Sequence, residues 1–454
     1  MKPLIIIDQF DKGVLADSTI PDTAGGQMFY GVDIHKENSV LQVSQKLTQE
    51  TDVFTDLVKW IVRDENDATY KYYALGDTGN LYRVTDIGGT WALQSNVGGH
   101  GNGMAIYNGE RFYATDTGLI GSGGTSKTLD NDTSFHPMCV YLGSLWIGAG
   151  RYLAKLESDG TYTQQKLTLP AGQKIKSLDV YGDRLVIGTW MGSSITDKAE
   201  SYLFTYPGTG DFPEQNFYLE ESGFNALISW ENILLNFCGI QGNVWAYNGA
   251  FLDKAKQIPD VYTDIGEYVY VNPGAVAQLG GNVLAGVSIG SGDALGGIYC
   301  FGRKTEDLPF AMTLSHPVST GYTDVEIGAI LTCGGNQFLV SWKRGATYGL
   351  DLLNTAAKYT SGYFESQKYE VMNGNKPRLI KGVNIVAEPL SANTSITVAY
   401  DVDDSGTFTS GGTTTSSNQD EMLHLTVRAK VFQIKLTLNC SSNSSPRIKR
   451  VEIY

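Results

Sequence analysis

LDVYGDRLVIGT, residues 178–189, is two short apolar runs joined by a turn at Tyr181-Gly182. Glycine beside a polar residue between two such runs marks a β-hairpin. The figure recurs as MAIYNGERFYAT (104–115), CVYLGSLWIGA (139–149), LISWENILLNF (227–237), AVAQLGGNVLAGV (275–287) and AILTCGGNQFLVSW (329–342). Their turns fall near Asn108-Gly109, Leu142-Gly143, Glu231-Asn232, Gly280-Gly281 and Gly334-Gly335. A weaker first copy turns near Glu65-Asn66, between VKWIV and YKYYALG. The copies stand roughly 34 to 54 residues apart, the period of β-propeller blades. They predict a propeller of about seven blades, with six to eight compatible with the spacing.

A second pattern runs in step with the first. After each core hairpin comes an aromatic-rich strand: GNLYRVTD, RYLAKLESDG, SYLFTYPG, GNVWAYNG, GGIYCFG and GATYGLDLL. These read as third strands of blades. Their aromatics, Tyr82, Tyr152, Phe204, Trp245, Tyr299 and Tyr348, are expected to pack between neighbouring blades, each blade burying its faces by stacking on the next. The Gly-His and Trp-Asp marks of WD repeats are missing.

Three segments are expected. Residues 1–50 form an N-terminal lead-in whose strands, around a turn at Lys36-Glu37-Asn38, complete the last blade. Closure of that kind removes exposed sheet edges. Residues 51–369 hold the propeller. Within it, the window Asp52 to Arg63 fits either a helix, with Val53, Leu57, Trp60 and Ile61 on one face, or a strand; its place before the first hairpin favours the strand. Residues 370–454 read as a small β-sandwich. There Phe432, Ile434, Leu436 and Leu438 alternate with Gln433, Lys435 and Thr437; Ile396, Val398, Tyr400 and Val402 alternate likewise, as do Leu423, Leu425 and Val427. Period-two alternation marks half-buried antiparallel strands. The polar tract 409–419 reads as a loop.

With 454 residues, of which 42% are hydrophobic and 18% charged, the chain can bury a sizeable core. The formal net charge is −14. Such a surface argues against wrapping nucleic acid, which needs a basic footprint, but suits a wall that DNA slides past without sticking. Five cysteines, Cys139, Cys238, Cys300, Cys333 and Cys440, include no CxxC pair and read as free thiols from a reducing site of folding. The run in MKPLIIIDQF is too short for a signal peptide, and no segment has the length of a bilayer span. N-x-S/T sequons such as Asn131-Asp132-Thr133 carry little weight without an export signal.

No catalytic, cofactor or metal residue is assigned. DVDDSGTF (401–408) places Asp401, Asp403, Ser405 and Gly406 like the first half of a calcium loop, but Gly412 stands where the bidentate Glu is needed. A hairpin turn accounts for it better. GSGDALGG (290–297) and GSGGTSK (121–127) lack phosphate-loop spacing and a following helix. The histidines His35, His100, His136, His316 and His424 share no metal-ligand spacing, and His424 falls on the polar face of its strand. No GxSxG elbow or SxDxGxTW box occurs. RIKR (447–450) reads as a solvated strand edge rather than a nucleic-acid patch.

The opening GG…GVDIHKENSVLQVSQKLTQE, the divergent repeats and the terminal PRIKRVEIY together resemble propeller-bearing, nozzle-type tail proteins of short-tailed bacteriophages. Gly31-Val32-Asp33-Ile34 and Val40-Leu41 through Leu47-Thr48 carry the resemblance, with Gly31 in place of the usual Asn and Ser39 where Gly is common. It implies a non-catalytic virion protein, assembled in the host cytoplasm as a homo-oligomeric ring and contacting other tail proteins, without cofactors. Two alternatives stay open: a receptor-binding or fibre protein, and a propeller hydrolase acting on glycan.

Overall fold

The computed structural model describes residues 2–8, 10–15, 22–37, 40–50, 54–130, 135–192, 194–197, 200–303 and 309–454. Asn38, Ser39, Val53 and the sequon at Asn131 lie outside the described residues. The chain is all-β: among the described residues the only helical element is a single 3₁₀ turn, Thr263–Ile265. Among the described residues no helix is long and apolar enough to cross a membrane. The chain divides into two compact units, residues 48–297 with 322–352, and residues 1–47 with 298–321 and 353–454.

The first unit is a β-propeller. Five consecutive four-stranded antiparallel sheets form its first five blades, opening with the strands Val58–Arg63, Gly103–Tyr107, Met138–Tyr141, Lys174–Tyr181 and Phe224–Trp230. The hairpin Tyr268–Leu279 with Asn282–Ser291 opens the sixth, and Glu326–Cys333 with Gln337–Arg344 opens the seventh. Each opening strand packs beside the next, and Glu326–Cys333 packs beside Val58–Arg63 to close the circle. Seven inner strands therefore surround one axis. The last blade is completed from the N-terminal side. The sheet of Glu326–Cys333 gains Gln45–Gln49 as its outermost strand, where Glu50 N donates to Leu350 O at 2.8 Å. Ring closure gives every blade a neighbour on each side to stack against.

Turn chemistry sets the hairpins. Asn108 and Gly109 both adopt positive φ, as a two-residue primed turn requires. Leu142-Gly143 does the same at φ 48° and 70°. Five of the six third-strand aromatics fall in Asn80–Val84, Tyr152–Leu156, Ser201–Tyr206, Asn243–Tyr247 and Thr347–Lys358, and Tyr299 falls in Gly297–Gly302. Tyr82 packs with Val58, Ala74 and Leu339, joining the first blade to the seventh; Phe204 packs with Trp146 and Leu185, joining the fourth to the third. The window before the first hairpin is a strand, Val58–Arg63, as its position implies.

The second unit holds two large sheets and a two-stranded pair, Val32–Asp33 with Gln42–Val43. One runs Ile5–Asp8, Ile448–Ile453, Arg378–Ala387, Asp420–Ala429. The other includes Ala311–His316, Gly13–Val14, Gly25–Tyr30, Ser361–Ser366, Val431–Asn439, Ser395–Val402 and Thr409–Thr414 in that order. The sandwich thus draws on three stretches of chain rather than on 370–454 alone. Pairing explains it: Gly13 and Tyr30 run parallel to Met312 and Leu314, and Met28–Tyr30 pair with Tyr363–Glu365. Phe432, Ile434, Leu436 and Leu438 are buried as alternation requires.

Three local readings change. Thr409–Thr414 is a strand rather than loop: it pairs with Ser395–Val402, and Thr397 and Thr413 hydroxyls lie 3.0 Å apart. Ile448–Ile453 is an interior strand, not an edge, because Ile5–Asp8 covers its free side. Alternation in Ser395–Val402 fails at its end, where Asp401 rather than Tyr400 is buried. The Asp401 carboxylate accepts the Ser405 and Gly406 amides and holds the turn.

Candidate axial site

Five of the seven inner strands share a defect. In the first, fourth and fifth blades the register with the second strand slips by one residue near the strand start. The residues left over are Lys59, between Val58 and Trp60; Lys176, between Ile175 and Ser177; and Asn225, between Phe224 and Ala226. Similar slips lie between Val271 and Val276 and between Ile327 and Ile330. A β-bulge bends its strand and re-aims the extra side chain. Here it takes polar groups out of apolar strands. Adjacent blades touch here: Ser177 Oγ donates to Phe224 O at 2.7 Å between inner strands, and Ser341 Oγ, on the second strand of the seventh blade, donates to Val58 O at 2.5 Å.

Lys59 and Lys176 line one open cavity of about 300 Å³ together with Asp77, His100, Phe135, Trp190 and Ile195. Lys59 Nζ lies 2.6 Å from Asp77 Oδ1. His100 Nδ1 lies 2.9 Å from Asp116 Oδ1, which also accepts from Asn102 Nδ2 at 3.1 Å. Lys176 is buried. Its Nζ donates to Asn225 Oδ1 at 2.6 Å and lies 5.1 and 5.0 Å from the ring centroids of Phe135 and Trp190. Those rings meet edge to face at 5.9 Å. Asn225 spends its amide on Gly239 O at 2.6 Å, which fixes its oxygen towards the amine. Burial pulls the Lys176 amine down to about 7; the neighbouring Lys59 charge acts in the same sense and Cys238 opposes it.

Two more buried titratable groups lie beside this region. Glu221 accepts from Asn243 Nδ2 at 2.7 Å, and its pKa is raised by burial. Cys238 is unpaired, its thiol held well above the ordinary range by burial. The remaining cysteines are unpaired as well. An arrangement of partly desolvated amines, an imidazole–carboxylate pair and aromatic rings can bind a small polar molecule. Among the described residues its lining includes no serine, threonine or cysteine.

The motifs singled out in the sequence stay apart from this cavity, with His100 the exception. In DVDDSGTF, Asp403 Oδ1 accepts the Lys430 and Val431 amides and Asp404 pairs with Lys368 at 2.6 Å, so the carboxylates serve a hairpin turn. Among the described residues no group of three His, Cys, Asp or Glu side chains is placed to hold a metal. In GSGGTSK, Gly123 N donates to the Glu110 carboxylate at 2.6 Å. GSGDALGG follows the sixth-blade hairpin with no helix after it. His136 is buried with Nδ1 2.8 Å from Gly148 O, His316 Nδ1 lies 2.9 Å from Gln45 O, and His424 is exposed. In RIKR, Arg447 and Lys449 pair with Glu388, and Arg450 with Glu452. Lys59, Lys176 and Asn225 were not foreseen. Their one signal was a lysine or asparagine inside an otherwise apolar opening strand.

The closed ring of antiparallel sheets with a bulged polar rim defines a β-propeller protein. No protein family and no curated protein matches the sequence. Among solved structures the chain is similar to the extracellular domain of the one-component system BT4673 from B. thetaiotaomicron, with 14% identity, 81% of this chain and 45% of that one covered, and a TM-score of 0.44. It thus spans less than half the length of that domain. It is also similar to a chain of the mitotic checkpoint complex (9% identity, 68% and 94% covered, TM-score 0.46). A third likeness is to BBS1N in complex with ARL6DN (10% identity, 69% and 98% covered, TM-score 0.44).

Proposed function

We propose that the chain is a non-catalytic structural component of a bacteriophage tail, a ring or nozzle-like part that docks on other virion proteins through one face of its propeller. The observation that carries this reading is Leu142. It sits at φ 48° in a hairpin turn and is 68% exposed. Its Cδ1 touches only the edge of the neighbouring blade's turn at Gly208, so the fold gives a bulky apolar residue little there, while the left-handed conformation is costly for it and most of its surface faces water. Asn or Gly is what such a turn prefers. A leucine kept in that place suits a partner's pocket.

Leu142 has company. In an antiparallel four-stranded blade the first and third turns open on the same face. Leu142 occupies the first turn of the third blade. Phe212, 81% exposed, lies in the third turn of the fourth, and Phe251, 67% exposed, ends that of the fifth. Exposed apolar groups clustered on one face mark an interaction surface. The two stretches behind the phage resemblance are also joined in one unit: Leu41 and Ile448 exchange both main-chain hydrogen bonds, at 2.9 and 3.0 Å. Net charge −14 suits a wall past which DNA moves without binding.

The reading places the protein in virions assembled in the host cytoplasm, as several copies around the tail axis. Cryo-electron microscopy of the particle from the same genome tests it. Density for this propeller in a ring on the axis, with Leu142, Phe212 and Phe251 against a neighbour, is the expected result. Density only at a peripheral tip would replace it with receptor binding, and absence from the particle would overturn it.

A further inference from the structure

We propose that the axial cavity binds a small hydroxylated carboxylate of the uronic acid class, its carboxylate seated between the ammonium groups of Lys59 and Lys176. The inference rests on this cavity and not on the docking face. Lys59 has a carboxylate partner, Asp77. Lys176 has none within ion-pair distance among the described residues: its acceptor there is the neutral amide oxygen of Asn225, and it also faces the Phe135 and Trp190 rings. A buried ammonium without an anion is costly, and cation–π contacts offset only part of that. With Lys59 already paired to Asp77, the site has room for one anion, which would pair with Lys176 as that amine takes up its proton.

The rest of the wall selects which anion. Asp77 lines the cavity and Asp116 stands behind His100. Two carboxylates beside the site disfavour a dianion such as phosphate and leave a monoanion as the better match. The same carboxylates and the imidazole provide hydrogen-bond partners for hydroxyl groups. Phe135, Trp190 and Ile195 offer apolar surface to the C–H face of a sugar ring. About 300 Å³ is at the small end of ligand pockets and suits a single ring rather than a chain. The charged and titratable groups facing Lys176 are Lys59 and Cys238, with Glu221 next to Cys238. With its amine held near 7, Lys176 is only partly protonated at neutral pH, and a bound carboxylate would draw a proton onto it.

Titration calorimetry of the full chain with glucuronate, glucose and inorganic phosphate tests the proposal. Glucuronate is expected to bind saturably, with glucose and phosphate at least about tenfold weaker, a difference of about 1.4 kcal/mol. Just above neutral pH, binding should take up protons, seen as an enthalpy that varies with the buffer's ionisation heat. Lys59→Met, at a partly exposed position, is expected to weaken glucuronate binding at least about tenfold and keep its melting temperature. Lys176→Met should abolish the proton uptake. Equal binding of glucose, tighter binding of phosphate, no binding of glucuronate, or unchanged affinity in a folded Lys59→Met protein would each overturn it.

Discussion

Lys176 Nζ and Asn225 Oδ1 meet at 2.6 Å, each side chain thrown off its strand by a bulge at the same place in adjacent blades. The amine is held at about 7 in the folded protein against an ordinary 10.5. Between those values the unfolded chain binds more protons than the folded one, so this group makes stability rise with pH across that window. Below about 7 both states are protonated and the cost of the buried charge is full. Lys176→Met removes the term. Denaturant melts from pH 6 to 10 should show wild type gaining on the variant, with a limiting slope of about 1.4 kcal/mol per pH unit. A constant gap between the two proteins would contradict this account.

Leu142 gives a prediction of opposite character. Replacing it by Asn relieves the left-handed strain and removes an exposed apolar group. Leu142→Asn should stabilise the isolated protein by about 0.5–1 kcal/mol, and the same change should reduce its incorporation into particles. Urea midpoints and particle composition measure the two effects. A destabilised variant would mean that Leu142 packs within its own chain.

The second unit is expected to be acid-sensitive. His316 is held at about 4 by burial, and His35 is lowered for the same reason. A main-chain carbonyl can only accept, so the contact at Gln45 O fixes the His316 proton on Nδ1. The unfolded histidines take up protons near 6.5 and the folded ones resist. Stability is therefore lost as pH falls from about 6.5 towards 4. His316→Gln, which keeps a donor but does not titrate, should flatten that loss in melts followed from pH 7 to 4. An unchanged pH profile would rule His316 out as a source.

Arg111 clamps the second blade to the first. It stacks 3.8 Å from the Tyr73 ring centroid, donates to Tyr113 Oη at 3.0 Å, and pairs with the buried Asp64 and with Asp67. Arg111→Met strands the Asp64 carboxylate and should cost about 3 kcal/mol. Arg111→Lys, which keeps charge but not the planar fork, should fall between. A cost below about 1 kcal/mol for Arg111→Met, the range of exposed pairs, would show that the clamp is solvated.

How much of this was legible follows from period. Hairpins such as 178–189 announced themselves because a two-residue turn needs Gly or Asn at positive φ, and because a strand alternates every second residue. The aromatics of the third strands followed the same rule. The axial site depends on breaking it. VKWIV reads as ordinary alternation, and nothing in the letters says that Lys59 has no partner in the next strand. A bulge is settled by packing around the axis, where Gly328 approaches Val58 O and Gly274 approaches Lys59 O too closely to admit a Cβ. The parallel pairing of Gly13 with Met312 is hidden for another reason: short segments far apart in sequence carry no local signal for each other.

The strand that seals the seventh blade has a consequence in time. Glu50 reaches Leu350 across about 300 intervening residues. At synthesis rates of about 5–20 residues per second, the sealing strand leaves the ribosome on the order of 15–60 s before its partner exists. Until then six blades' worth of hairpins form without a completed circle, and the strand that will close it stays unpaired. The nascent protein is thus an open arc, and chaperone occupancy should be highest in that interval.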